Sequence, residues 1–222
     1  MDRNTTPKNV AIILDGNGRW ALKKGKPRTF GHLKGANNAL KIAKYAKNFG
    51  IKNLVLFAFS TENWKRPKDE INYLMSKPIE IFQEKQDEID FKVSFFGRRD
   101  RIPKKLEELI KDIELKTKVY DNDFHLHIAV DYGSKEEIIN SSGSNELEFK
   151  KGLMFSENID LLIRTGGEMR LSNFLLFQSA YAELYFTKIP WPVFNKNTLA
   201  RAINAYKKRT RKFGGLWKNN VS

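Results

Sequence analysis

Two apolar patterns alternate along the chain. Short, mainly apolar runs occupy residues 10–14, 54–59, 93–96, 126–130, 161–163 and 184–186, with Ser94 and His127 the polar members. Runs of this length with no polar alternation suit strands buried on both faces. Between them, apolar residues recur at helical spacing. Ala36, Ala39, Leu40, Ala43 and Ala46 form one stripe, and Gly50 supplies a stop. Residues 67–89 read as a long helix with Ile71, Leu74, Met75, Ile79 and Phe82 on one side and a kink at Pro78. Residues 103–119 read as a helix with Leu106, Leu109, Ile110, Ile113 and Leu115 as its stripe. Strands separated by helices imply right-handed crossovers and a parallel sheet. The pattern predicts one α/β domain over residues 1–222, a central mostly parallel sheet flanked by helices. Residues 141–145 form the most loop-like interior stretch, and the ends 1–8 and 216–222 are expected to be flexible.

The polar residues gather at strand ends. The first strand runs into Asp15-Gly16-Asn17-Gly18-Arg19-Trp20, the second into Ser60-Thr61-Glu62-Asn63-Trp64 and the third into Gly97-Arg98-Arg99-Asp100. The fourth runs into Asp131-Tyr132-Gly133 and the fifth into Arg164-Thr165-Gly166-Gly167-Glu168. Open parallel sheets bind ligands beyond the carboxyl ends of their strands. Five polar ends on one rim therefore predict a site.

Each segment has a structural and a chemical reading. Asp15 suits a turn that bonds its own backbone, or a metal-binding carboxylate beside a glycine loop. Gly16 and Gly18 would let backbone amides approach an anion, and Arg19 would clamp a phosphate. Neither a Walker A loop nor a dinucleotide fingerprint is present. Arg28 and His32 flank Phe30-Gly31 just before the first helix, where a cation opposes the helix dipole unless an anion is bound. The segment from Ser60 to Arg66 offers a helix cap, but it also carries an acid, an amide, an indole and a guanidinium. Trp64 suits the core or the wall of an apolar ligand. Arg164, Arg170 and Ser172 surround a glycine turn, a set suited to a diphosphate. Glu183 lies in an apolar stretch and needs a cationic partner, either Mg²⁺ or an arginine.

Composition narrows the classes. Cysteine is absent, which excludes disulfides and thiol nucleophiles. No catalytic triad is supported, and His125 with His127 lacks a third zinc ligand. The N-terminus has no apolar leader and no run approaches the roughly 20 residues of a membrane span, so a cytoplasmic chain is expected. A net charge of +14 calls for anionic partners. A nucleic-acid binder would spread its basic residues in a stripe among exposed aromatics; here the arginines sit at glycine-rich strand ends, so no nucleic acid is expected.

Asp15-Gly16-Asn17-Gly18-Arg19-Trp20, Gly31-His32, Phe59-Ser60-Thr61-Glu62-Asn63-Trp64, Arg164-Thr165-Gly166-Gly167-Glu168, Arg170-Leu171-Ser172-Asn173-Phe174 and Ala180-Tyr181-Ala182-Glu183-Leu184-Tyr185-Phe186 resemble the signature blocks of the cis-prenyltransferases, in particular the undecaprenyl diphosphate synthases. The resemblance spans about residues 10–215, and the blocks keep the family's order. It implies sequential condensation of isopentenyl diphosphate onto an allylic diphosphate, by default farnesyl diphosphate, by a Mg²⁺-dependent homodimer. A non-catalytic partner subunit would lack Asp15 and the first glycine block, and both are present.

The resemblance assigns roles by position. Asp15 would bind Mg²⁺, with Glu183 completing the metal site. Gly16, Asn17, Gly18, Arg19, Arg28 and His32 would hold the allylic diphosphate, with Trp20 in the same block. Asn63 would assist proton loss, with Ser60, Thr61 and Glu62 beside it. Trp64 and Arg66 would position substrate. Arg164, Arg170, Leu171 and Ser172 would form the isopentenyl diphosphate site. The product would grow along an apolar tunnel walled by Ile71, Leu74, Met75, Ile79 and Phe82, with peripheral membrane contact for its release. Three departures stand out. Gly133-Ser134-Lys135 replaces Gly-Gly-Arg, residues 138–149 are shorter than usual, and Lys212-Phe213-Gly214-Gly215 replaces Arg-Phe-Gly-Gly, with Arg211 adjacent.

Overall fold

The computed structural model describes residues 5–121 and 123–209, apart from the side chains of Pro78 and Ile79. The elements run β1 (Asn9–Ile13), α1 (Asn17–Leu22), α2 (Arg28–Asn48), β2 (Asn53–Ser60), α3 (Lys68–Glu84), β3 (Lys92–Phe96), α4 (Lys104–Thr117) and β4 (His125–Tyr132). They continue with α5 (Ser134–Asn140), α6 (Glu146–Lys151), β5 (Leu161–Arg164), β6 (Glu183–Phe186) and α7 (Lys196–Lys208). The strands form one sheet in the order β3-β4-β2-β1-β5-β6, and every neighbouring pair is parallel.

The apolar runs divide by residue parity, as a pleated strand requires. Val10, Ile12, Leu54, Leu56, Val93, Phe95, Leu126 and Ile128 face a core completed by α2, α3, α4 and α7. Ala11, Ile13, Val55, Phe57, Ala129 and Leu162 face a second core. That core is closed by Phe155, Ile159, Phe174 and Leu175 from loops rather than by long helices. The sheet is thus flanked by long helices on one face, and loop residues close the core on the other.

Several boundaries differ from the sequence pattern. A short α1 precedes α2, and α2 begins at Arg28, so Arg28 and His32 lie inside a helix rather than ahead of one. The long helix continues through Pro78 and ends at Glu84, followed by a 3₁₀ turn at Gln86–Glu88. The helix α7, with Leu199, Ala202, Ile203 and Tyr206 at helical spacing, and the short α5 and α6 are not among the expected elements. At the N-terminus Pro7 is buried and the Lys8 amide donates to Asp160 at 2.9 Å. The stretch 216–222 and the segment 211–215 lie outside the described residues.

On β4 the His125 and His127 rings lie 3.8 Å apart between centroids, tilted by 35°. His127 bonds Ser94 and Asn53, both at 3.0 Å. Burial lowers both imidazoles, with Lys92 adding to the effect on each and His125 adding to that on His127, to about 4 for His125 and about 3 for His127. Both rings are thus neutral in the folded chain at pH values where the unfolded chain protonates them. Stability is full above the ordinary histidine pKa of 6.5 and drains away as pH falls towards those values. His125→Gln is expected to flatten the fall of melting temperature between pH 6.5 and 4, as a series of thermal melts would show.

Candidate active site

The connections leaving β1 and β5 run in opposite directions across the sheet, so a crevice opens between the ends of these adjacent strands. Asp15 and Arg164 meet there. The Arg164 Nη2 donates to Asp15 Oδ2 at 3.0 Å, and its Nη1 donates to the Ser172 hydroxyl and the Arg170 carbonyl, both at 2.6 Å. Arg164 is only 5% exposed, and its Nε has no hydrogen-bond partner among the described residues. On its other oxygen Asp15 accepts from the Gly16 amide at 2.6 Å and from Arg19 at 2.9 Å. Burial pushes the Asp15 carboxyl upward, but the hydrogen bonds and charges of Arg164 and Arg19 outweigh it, and the group sits below the usual carboxylate range.

The local backbone makes this meeting possible. Gly16 (φ 99°) and Gly166 (φ 82°) lie against each other, and a Cβ on Gly166 would stand 2.9 Å from the Asp15 carbonyl carbon. Both are left-handed, where glycine carries no steric cost. Ser172, Asn173 and Asp131 also take positive φ at this rim, a strain found at binding sites.

Around the crevice lies a cleft of about 770 Å³. It is lined by Asp15, Asn17, Arg19, Arg28, His32, Ser60, Glu62, Asn63, Arg66, Arg164, Arg170 and Ser172 among the residues singled out from sequence. Ser60 and Asn63 form a reciprocal cap on the 3₁₀ turn Thr61–Lys65, the Ser60 amide donating to Asn63 Oδ1 at 3.0 Å. Asn63 is thus held by its oxygen. Glu62 accepts from Asn173 at 3.1 Å.

Other expected residues stand elsewhere. Gly16 packs on Pro190 and Gly18 on the Arg28 guanidinium, so each lets a protein group approach closely. Trp20 stacks on Phe30 at 5.8 Å, away from the cleft. Thr61 donates to Glu62 at 3.3 Å, Leu171 packs on the second core, and neither lines the cleft. Trp64 donates its indole N–H to the fully buried Asp131 at 2.8 Å, which Arg101 also grips at 2.6 and 2.8 Å. Its work in the fold is to anchor the 61–65 turn. Glu183 opens β6 opposite Leu161 and pairs with Arg209 at 2.8 Å. Asp15 lies beyond the far end of β5, so the two carboxylates are separated by about 10 Å or more along the strands. Within one chain they do not share a metal.

The family described as "Putative undecaprenyl diphosphate synthase" matches residues 13–214. The chain belongs to this family. It is 45% identical over 222 residues to an isoprenyl transferase of Aquifex pyrophilus, covering 94% of this chain and 96% of the relative. It is 41% identical to a farnesyl-diphosphate-specific ditrans,polycis-undecaprenyl-diphosphate synthase of Micrococcus luteus, covering 95% and 92%. Among solved structures, lavandulyl diphosphate synthase from Lavandula x intermedia, in complex with dimethylallyl diphosphate, superposes with a TM-score of 0.84 at 34% identity, covering 94% and 98%. A probable undecaprenyl diphosphate synthase from Campylobacter jejuni gives 0.80 at 32%, covering 95% and 99%. The chain is a transferase that elongates cis-prenyl chains.

This prenyltransferase also holds features that the sequence reading passed over. Lys135 and Asn173 line the cleft, and Glu168 bridges Arg19 at 2.9 Å and Arg170 at 2.5 Å. Glu168 stood inside a quoted motif but was assigned nothing. Glu70, at the start of α3, was missed entirely, because a carboxylate in a first helical turn has an ordinary reading. Beside the cleft lies an apolar cavity of about 90 Å³ lined by Leu14, Ala36, Ala39, Leu56, Phe59, Phe82, Phe95, Leu106, Ile128 and Val130. Leu14, Ala58 and Leu74 line both spaces. Of the expected tunnel residues only Leu74 and Phe82 face the cavity. Ile71 and Met75 are core, and the Ile79 side chain lies outside the description.

Among the described residues no cluster of three metal-ligating side chains exists. Mg²⁺ is commonly held by one or two carboxylates together with substrate phosphates and water. Asp15, a hard oxygen donor facing a diphosphate-sized cleft, fits that arrangement.

Proposed function

We propose that this chain condenses isopentenyl diphosphate onto an allylic diphosphate, with farnesyl diphosphate as starter and Mg²⁺ as cofactor. The product would be a long-chain polyprenyl diphosphate such as undecaprenyl diphosphate, the precursor of a cell-wall lipid carrier. The observation that carries the reading is the arginine-rich cleft at the β1/β5 crevice, meeting an apolar cavity at Leu14, Ala58 and Leu74. The two spaces match the two halves of a prenyl diphosphate.

Asn17, Arg19, Arg28, His32 and Arg66 would hold the allylic diphosphate, and Arg164, Arg170 and Ser172 that of isopentenyl diphosphate. Bound at Asp15, Mg²⁺ would supply positive charge to the departing diphosphate. Breaking the allylic carbon–oxygen bond leaves a carbocation, which the double bond of isopentenyl diphosphate attacks to form the new carbon–carbon bond. A proton is then lost, with Asn63, held through its oxygen and flanked by Ser60 and His32, placed to assist. Arginines stabilise the leaving anion, and the apolar wall keeps water from the cation.

A second copy belongs to this reading. Glu183 would complete a metal site only if a partner subunit presented it to Asp15. The segment around Arg211 and Lys212, implied to reach across the dimer, lies outside the described residues. No helix among the described residues is long and apolar enough to cross a membrane. Peripheral contact in the cytoplasm would suffice to release an apolar product.

The test is incubation of purified protein with farnesyl diphosphate, labelled isopentenyl diphosphate and Mg²⁺, followed by sizing of the products. Absence of chain elongation would refute the reading. The two arginines then separate the diphosphate sites. Arg170→Ala should raise the KM for isopentenyl diphosphate at least about tenfold more than that for the allylic substrate. Arg164→Ala should disturb both, because it also holds Asp15. Equal effects of Arg170→Ala on both substrates would reverse the assignment.

A further inference from the structure

Glu70 is 8% exposed and sits in the first turn of α3. Three basic side chains from two other segments converge on its carboxylate. Arg28 donates at 2.9 and 3.2 Å, Arg66 at 3.0 Å, and His32 Nε2 lies 3.0 Å from Oε1. Arg28 and His32 belong to α2, and Arg66 ends the turn that carries Asn63. All three line the cleft, whereas Glu70 lies behind them. One turn further along α3, Leu74 lines both the cleft and the apolar cavity.

We propose that Glu70 is the positioning residue for the allylic-diphosphate half of the site, a statement that rests on the assignment of Arg28, His32 and Arg66 to that half. Without an anion between them, two guanidiniums aimed into one cleft would repel each other and splay. A buried carboxylate gathers them and holds their remaining donors towards the cleft. An ionised carboxylate only accepts, so Nε2 of His32 must carry the hydrogen. Burial of the imidazole favours its neutral form, which leaves Nδ1 with a lone pair. The helix that supplies Glu70 also supplies Leu74. The headgroup clamp and the mouth of the apolar cavity are thereby fixed to one rigid element.

Glu70→Gln preserves shape and removes the charge. In the full-length enzyme it should raise the KM for farnesyl diphosphate at least about tenfold and leave that for isopentenyl diphosphate within about twofold. Placed on an Arg28→Ala background it should raise that KM by a smaller factor than on its own, since the Arg28 contact is already gone while Arg66 and His32 still rest on Glu70. Unchanged KM values, equal increases in both, or full additivity with Arg28→Ala would overturn the proposal. If the variant does not fold, the imidazole ¹⁵N spectrum of the wild-type protein decides. A hydrogen on His32 Nε2 supports the proposal and a bare Nε2 refutes it. Should the wild type not elongate prenyl chains at all, the functional reading fails, and the same spectrum still judges the contact with Glu70.

Discussion

Asp15→Asn is expected to lower turnover by roughly 10²–10³-fold, the scale on which removing one preorganised charge-stabilising group acts. Alanine is the poorer probe. Asp15 accepts from the Gly16 amide, Arg19 and Arg164, and the Arg164 side chain is only 6% exposed. Deleting its carboxylate leaves a buried guanidinium short of a partner, which destabilises by several kcal/mol in comparable sites. Asparagine keeps the volume and an oxygen for the Gly16 and Arg19 donors, but it loses the charge and sets an NH2 group where Oδ2 accepts from Arg164. The expected result is a large fall in product formation with a smaller loss of melting temperature than Asp15→Ala shows. The pH profile supplies a second readout. Because Arg164 and Arg19 hold the Asp15 carboxyl low against the upward push of burial, it stays ionised well into acid. Any loss of activity that tracks Asp15 should therefore begin below the usual carboxylate range. Turnover of Asp15→Asn within about threefold of wild type, roughly 0.65 kcal/mol on the barrier, would remove Asp15 from the chemistry.

The sheet could be read from the chain because burial on both faces leaves a signal that needs no context. All six apolar runs became strands, each within a few residues of its expected limits. The rim of the site could be read for a related reason: in a parallel sheet every strand end points the same way, so polar residues following strands must meet. What the sequence concealed was the facing of individual side chains. Gly18 looks like a phosphate-loop glycine, yet its missing Cβ is what admits the Arg28 guanidinium, 2.7 Å from where that atom would lie. Trp64 looks like a substrate wall, but its indole is committed to Asp131, 67 residues away. Glu183 follows the expectation that a buried carboxylate needs a partner, and Arg209 is that partner within the chain. Glu70 gave only the weak local signal of Arg66 four residues before it, since Arg28 and His32 reach it only on folding.

Product length should be set where the cleft meets the apolar cavity. Ala58 is the exposed position in the otherwise buried body of β2, and it faces Leu74 across the opening that both residues line. A growing prenyl chain would pass between them, because they and Leu14 join the cleft to the apolar cavity. Behind that opening the apolar cavity measures about 90 Å³, so continued growth depends on α3 yielding along its Leu74 and Phe82 face. Ala58→Leu and Leu74→Trp should therefore stop elongation early and leave the first condensation intact. The mean product should shorten by several isoprene units, at an overpacking cost of roughly 1–3 kcal/mol. Met75 supplies the control. It is 4% exposed in the main core and does not line the cavity, so Met75→Trp should lower the melting temperature and total activity together without changing the length distribution. Chromatographic sizing of the products beside thermal melts distinguishes these outcomes. A well-folded Ala58→Leu enzyme making full-length product would mean that the chain leaves the cleft by another route, and that the Ala58–Leu74 opening is packing alone.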